Sequence, residues 1–153
     1  MIRQGILKID SLKEFLNEFG SYVVAIDARY VIDVDVLKFA VDKAVRSWKE
    51  GRNIAKTLPL EIILYVSATR QIKNAVKICV GEGINEVVLI VLNEGKLENL
   101  KFEERNVVKM DEERIENVKK LYGITDEEIN VVGLKKLPLL IRERIALFDV
   151  FKE

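Results

Sequence analysis

The chain has 153 residues, 49% hydrophobic and 33% charged, with eight glycines, two prolines, a single cysteine and no histidine. At this length one domain hides roughly 68–70% of the surface its unfolded chain exposes, so a packed core is expected without disulfides or metals, and the disordered and disulfide-framework classes are excluded. Formal charge is zero, but residues 43–81 carry a net plus six between flanks of minus two and minus four, and local potential rather than total charge steers a polyanion.

Ile2 to Ile9 reads as a strand. Ser11 and Glu14 have capping-box spacing ahead of the stripe Leu12, Phe15, Leu16 and Phe19, and Gly20 ends that helix. Tyr22 to Ile26 is β-rich and short, a second strand whose exit places Asp27 and Arg29 at a turn or edge. Asp33 or Asp35 caps a helix reaching about Glu50, with Val34, Leu37, Val41, Ala44, Val45 and Trp48 facing inward and Gly51 as its stop. Thr57 to Val66 is compatible with a buried strand through its β-branched run. Thr57 as cap and Pro59 in the first turn favour a short, largely buried helix.

After Ser67 and Ala68, Thr69 is expected to cap a further helix with Ile72, Val76, Cys79 and Val80 inward and Arg70, Gln71, Lys73 and Lys77 outward. Glu86 to Leu92 gives the strongest strand pattern, an aliphatic run covered on both faces. Residues 96–105 carry no pattern, and Val107 to Met110 is expected as an edge strand. Asp111 starts a helix through Ile115, Val118, Leu121 and Tyr122, stopped by Gly123; Thr125 and Glu128 start another that ends near Gly133. The last helix runs from Leu137 to about Phe151, with an apolar band wider than one core-facing stripe needs. No repeat or linker divides the chain, so residues 1–153 are expected as a single layered α/β domain, a small mixed β-sheet packed with several helices.

Residues for chemistry are scarce. Without histidine, the Ser-His-Asp and Cys-His routes are closed, and neither a dinucleotide fingerprint nor a phosphate loop is present. Cys79, in an apolar run, reads as an inert core thiol. Asp27, Asp33 and Asp35 would have to converge to hold a metal or work as acid and base, whereas caps account for at least one of them. Glu61, inside an apolar stretch, requires partners, and a structural salt bridge or amide contact is expected there. No cofactor is expected. No apolar run approaches the roughly 20 residues that span a bilayer, and no leader pattern opens the chain, so a cytoplasmic protein without membrane association is expected.

Two features point to binding instead. Lys43, Arg46, Lys49, Arg52, Lys56, Arg70, Lys73 and Lys77 span two helices and a turn, and they can gather on a phosphate backbone if those helices adjoin. Thr69 and Arg70 at a helix N-terminus add amides that favour an anion. The surplus apolar width of the last helix suits a protein partner, and a charge at Ile145 or Phe148 is expected to weaken that partner while sparing the fold.

The run Thr57-Leu-Pro-Leu-Glu61-Ile-Ile-Leu-Tyr-Val-Ser67-Ala-Thr-Arg70-Gln71-Ile72-Lys-Asn-Ala75-Val, followed by Gly83-Ile84, resembles the signature of the small regulatory subunit of the archaeal and eukaryotic KEOPS (EKC) complex. Ala25-Ile26-Asp27-Ala28 and the helix with Ala40, Ala44 and Trp48 are similar to the same family, and the likeness covers about residues 1–150. Ala68 stands where that family usually carries glycine. The resemblance implies a non-catalytic accessory protein that binds the small atypical kinase/ATPase subunit and supports threonylcarbamoylation of adenosine 37 in tRNA, with archaeal relatives engaging the tRNA 3′ CCA tail. Carried onto this chain, it implies RNA contact at Lys56, Arg70, Gln71, Ile72 and Lys73, with further phosphate contacts at Arg46, Lys49, Arg52 and Lys77. The partner face would take Leu140, Arg144, Ile145, Leu147, Phe148 and Phe151 from the last helix. A purely protein-binding scaffold is the nearer alternative, and a small carboxylate-dependent enzyme the more distant one.

Overall fold

A computed structural model describes residues 1–152. Its chain runs β1 (Ile2–Ile9), α1 (Leu12–Phe19), β2 (Val23–Asp27), α2 (Val34–Lys49), α3 (Leu58–Ser67), α4 (Ile72–Ala75), β3 (Gly83–Val91), β4 (Phe102–Glu104), α5 (Glu112–Tyr122), α6 (Asp126–Val132) and α7 (Leu137–Phe151). The layered α/β expectation holds, with one difference in the sheet. Its order is β2-β3-β1-β4 and every hydrogen-bonded pair is antiparallel, so the sheet is not mixed. Strand–helix–strand alternation does make β1 and β2 parallel to each other, but β3 inserts between them and opposes both. A parallel crossover is thereby split, and no parallel pair remains in contact.

Pleating sorts the sheet's side chains onto two faces. Val24, Ile26, Val88 and Ile90 meet the helical layer of α2, α3, α5 and α7, while Leu7, Ile9, Val23, Ala25, Val87, Leu89 and Val91 meet Phe19 of α1 and Val80. This is why β3 tolerates five consecutive aliphatics: Val87 to Val91 are all buried, on alternate faces. Full burial of one such side chain contributes roughly 1.5–3 kcal/mol. At the other side of β1, Gly5 allows β4 to approach, since a Cβ there would lie 2.0 Å from the Glu103 carbonyl oxygen.

The edge strand is Phe102–Glu104, within the stretch that carries no sequence pattern, and not Val107 to Met110. The Val107 and Val108 amides instead donate to Gln4 Oε1 at 2.9 and 3.0 Å. One side-chain amide has taken the place of a strand ladder, a substitution that periodicity does not register. The buried face of α2 is also turned from expectation, formed by Val36, Leu37, Ala40, Ala44 and Ser47, with Trp48 half-buried at its margin. Small Ala40 and Ala44 let α3 pack closely against it.

Arg114 is a buried cation without a sequence signal. Its guanidinium donates to the Ala28 and Val107 carbonyls, to Asp111 and to Glu86 at 2.9–3.2 Å, tying α5 to the sheet and to the turn after β2. Burial is tolerable there because the fork geometry finds a partner for each edge.

Candidate functional site

α3 forms as a helix because Thr57 Oγ1 accepts the Leu60 amide at 3.4 Å and Pro59 occupies its first turn. Its C-terminus turns on Ala68, with φ 52° and ψ 43°, and the Ala68 and Thr69 amides bond back to the Tyr65 and Leu64 carbonyls. Holding alanine in the left-handed region costs on the order of 1 kcal/mol. The left-handed turn therefore forms here on an alanine. Thr69 Oγ1 then accepts the Gln71 amide at 3.2 Å, and Gln71 Oε1 accepts from Asn74 at 2.6 Å, which fixes the corner between α3 and α4.

The helix after this corner is shorter than expected. α4 has four residues, begins after Gln71 instead of at Thr69, and passes into a 3-10 turn at Val76–Ile78. Ala75 and Ile78 face inward, whereas Ile72 and Val76 are about half exposed. Thr69 is consequently a turn residue and not a helix cap, and with Arg70 it lies ahead of the helix N-terminus that Gln71 opens. What the corner presents to solvent is a set of exposed side chains, Arg70, Gln71, Ile72 and Lys73.

The cations of the basic third divide into two groups. Lys49 and Lys56 lie where α2 ends and α3 begins, and Arg70, Lys73 and Lys77 lie past the other end of α3, about 15 Å away along a ten-residue helix. Arg46 projects from the exposed side of α2. Among the described residues, none of these six is in an ion pair. Arg52 is, with Glu50 and Asp149 both at 3.3 Å, so its charge is engaged within the chain instead of lying open to phosphate.

α7 separates into two faces. Leu137, Ile141 and Ile145 are fully buried at helical spacing. Ile145 is thus a core residue and not part of a partner face; the i, i+4 stripe it completes is the one the core requires. Leu139, Leu147, Val150 and Phe151 are exposed at 56, 46, 67 and 73%, with Leu140 and Phe148 half-buried beside them. Arg144 is also committed internally: its guanidinium donates to Glu128 at 2.7 and 2.8 Å and to the Tyr122 and Gly123 carbonyls at 3.2 Å. This hydrogen bond from Arg144 holds the Glu128 carboxyl below its usual range.

An open groove of about 470 Å³ joins the two regions, with Ala68, Thr69, Arg70 and Gln71 on one side and Arg144, Leu147, Phe148 and Phe151 on the other. A second, of about 500 Å³, lies across the same corner and is lined by Thr69, Asn74, Lys77, Asn117 and Lys120. Sequence reasoning missed Lys120, which sits in the acidic last third of the chain. Only the three-dimensional fold, which sets α5 across this groove from Asn74 and Lys77, brings it there.

Beneath the first groove lies a buried polar cluster. Glu61 Oε1 accepts the Ile54 and Ala55 amides at 3.0 and 2.9 Å, and Oε2 accepts from Ser47 at 3.0 Å and from Lys152 Nζ at 3.4 Å. Glu61 has the salt bridge and amide contacts expected for a carboxylate in an apolar run. Lys152 also donates to Ser47 and, at 2.6 Å, to the Tyr65 hydroxyl, which in turn donates to Asp149. Burial, with the bond to Asp149, pushes the Tyr65 phenol well above its ordinary range, so it remains a donor. Burial also disfavours charge on Asp149, but the Tyr65 hydrogen bond and the Arg52 charge outweigh it and hold this carboxyl low. Ser47 beside Lys152 has the composition of a Ser-Lys nucleophile. Both are sealed from solvent and the serine proton is directed at Glu61, so the pair is structural.

Two of the other candidate carboxylates are occupied locally. Asp27 binds Arg29 in a fork, and Asp33 accepts the Asp35 amide. Burial pushes the Cys79 thiol up to about 11, which keeps it protonated and unreactive near neutral pH. Among the described residues, no helix is long and apolar enough to cross a membrane. Comparison with known protein families matches residues 3–149 to the one described as kinase binding protein CGI-121. No curated protein matches the sequence.

Proposed function

The chain belongs to the CGI-121 family of kinase-binding proteins, and from that premise we propose that it is a non-catalytic accessory subunit of the complex that makes N6-threonylcarbamoyladenosine at position 37 of tRNA. In this reading it works in the cytoplasm, binds the small atypical kinase/ATPase subunit through the outer face of α7, and contacts the 3′ CCA end of tRNA through the α3–α4 corner. Arg70 positions phosphate or base edges, Gln71 supplies directional hydrogen bonds, Ile72 offers an apolar surface to an unstacked base, and Lys73 neutralises phosphate. Lys56, Arg46 and Lys49 extend the positive potential around the far end of α3, and Lys77 along the second groove.

The observation that carries this reading is the corner itself. Four exposed side chains of mixed character project from a backbone pinned by Ala68, Thr69 and the Gln71–Asn74 bond, and a pre-organised surface loses little entropy on binding. The test is affinity for intact tRNA and for tRNA trimmed of its CCA end, with the wild-type chain and Arg70→Glu. The expected result is a preference of about tenfold or more for intact tRNA, the effect of roughly 1.4 kcal/mol, erased in Arg70→Glu. Equal affinities in all four combinations contradict tail recognition. A protein-binding scaffold without RNA contact is favoured by a different observation, the exposed Leu147, Val150 and Phe151, and those four equal affinities together with intact kinase binding select it.

A further inference from the structure

The last turn of α7 carries the apolar wall of the first groove. Its C-cap, Lys152, has φ −67° and ψ −17°, a right-handed conformation, and its last turn contains no basic residue. The last four carbonyls of a helix have no intrahelical partner, and such an end frays readily. Phe151 and Val150 would fray with it, since both are largely exposed and have little packing of their own.

What holds this turn is the Lys152 side chain. It is 1% exposed and reaches inward to Ser47 of α2 and to Glu61 and Tyr65 of α3, while Tyr65 stacks edge-on against Phe148 with ring centroids 5.0 Å apart. A buried ammonium has three protons to satisfy, and these three oxygens satisfy them. Asp149 joins the cluster through Tyr65 and Arg52, so charges alternate from Arg52 to Asp149 and from Lys152 to Glu61. An ion pair sealed in this way is a weak source of net stability, and its best-attested use is to fix one arrangement among several.

We propose that Lys152 is a positioning residue for the docking surface: its tether to Ser47, Glu61 and Tyr65 holds the last turn of α7 so that Leu147, Phe148 and Phe151 stay opposite Arg70 and Gln71. This rests on the reading of the outer α7 face as the kinase-binding surface. Lys152 acts through the helix it anchors, its ammonium turned inward to Ser47, Glu61 and Tyr65. Glu61, from the run Thr57 to Val66, and Lys152, 91 positions later, are thereby two halves of one device.

Lys152→Met alone leaves Glu61 buried without its countercharge and is expected to destabilise the fold strongly. The test therefore uses the double variant Glu61→Gln, Lys152→Met, which keeps a carbonyl acceptor for the Ile54 and Ala55 amides and leaves no unpaired charge. Three quantities are read in the full-length chain: denaturant midpoint, amide hydrogen exchange at residues 148–152, and affinity for the purified kinase/ATPase subunit. Phe151→Ser serves as the reference for loss of the face itself. The expected result is a cooperative unfolding transition as in the wild type, exchange in the last turn faster by about tenfold or more with α2 and α3 unchanged, and kinase affinity weakened about fivefold or more. Unchanged exchange at 148–152 overturns the proposal, as does faster exchange with wild-type affinity while Phe151→Ser binds weakly. If Phe151→Ser also binds like the wild type, the reading of α7 as the docking face fails, and the positioning role falls with it.

Discussion

The α3–α4 corner and the outer face of α7 stand on opposite sides of one groove, and they are built on opposite principles. The corner is polar and held by local bonds, from the Ala68 turn to the Gln71–Asn74 contact. The α7 face is apolar and held from behind, by a core stripe and a buried lysine. The comparison teaches that a charged surface declares itself in sequence, because its residues have no use inside. An apolar surface becomes visible only after the core has taken its share, and on α7 the core takes Ile145 and leaves Leu147.

The largest effect that can break this comparison comes from placing one charge on each side of α7. Ile145→Asp should cost about 4 kcal/mol or more, through lost burial and a desolvated carboxylate, whereas Leu147→Asp should shift stability by no more than about 0.5 kcal/mol and weaken kinase binding. Urea unfolding of both variants beside their kinase titrations checks this, and equal destabilisation would erase the distinction between the faces. Next in size is the response to salt. Binding of tRNA should weaken steeply as salt rises, and Lys73→Gln should lower the log–log slope by roughly 0.7, the loss of one phosphate contact to a single strand, while kinase binding through α7 should stay nearly flat.

A smaller effect concerns the corner alone. Ala68→Gly should stabilise the chain by about 1 kcal/mol by removing the left-handed strain, with tRNA affinity unchanged, as read from the urea midpoint and a binding titration. The smallest is a pH effect on the α6–α7 junction. Because Glu128 is held below its ordinary range when folded, its contribution is complete above the unfolded carboxylate pKa and is lost as pH falls through the folded one. Arg144→Gln should remove that part of the acid dependence, seen as a shallower fall in melting temperature below about pH 4.3.

Most of the elements are legible in the chain because local signals agree with tertiary demands. Ser11, Asp33, Thr57, Asp111 and Thr125 all accept first-turn amides where the capping patterns place them. The failures have particular causes. Thr69 has the composition of a cap, but its hydroxyl closes a turn to Gln71, and hydroxyl caps and hydroxyl turns look alike in sequence. The strand at Phe102–Glu104 has too few apolar residues to show alternation, and Gln4 drew Val107 and Val108 away from a ladder. Glu61 could be recognised as needing partners, whereas the identity of its partner could not, since Lys152 is 91 positions away. Arg52 reads as a phosphate contact and Arg144 as part of the partner face until Asp149 and Glu128 are placed beside them.

The central claim is that the two sides of the groove serve different partners. It is tested most directly by measuring Arg70→Glu and Phe151→Asp against both tRNA and the kinase/ATPase subunit. The account predicts a crossed result, with Arg70→Glu weak for tRNA and normal for the kinase, and Phe151→Asp the reverse. If each variant loses both partners together, or neither loses either, the division of labour across the groove is contradicted.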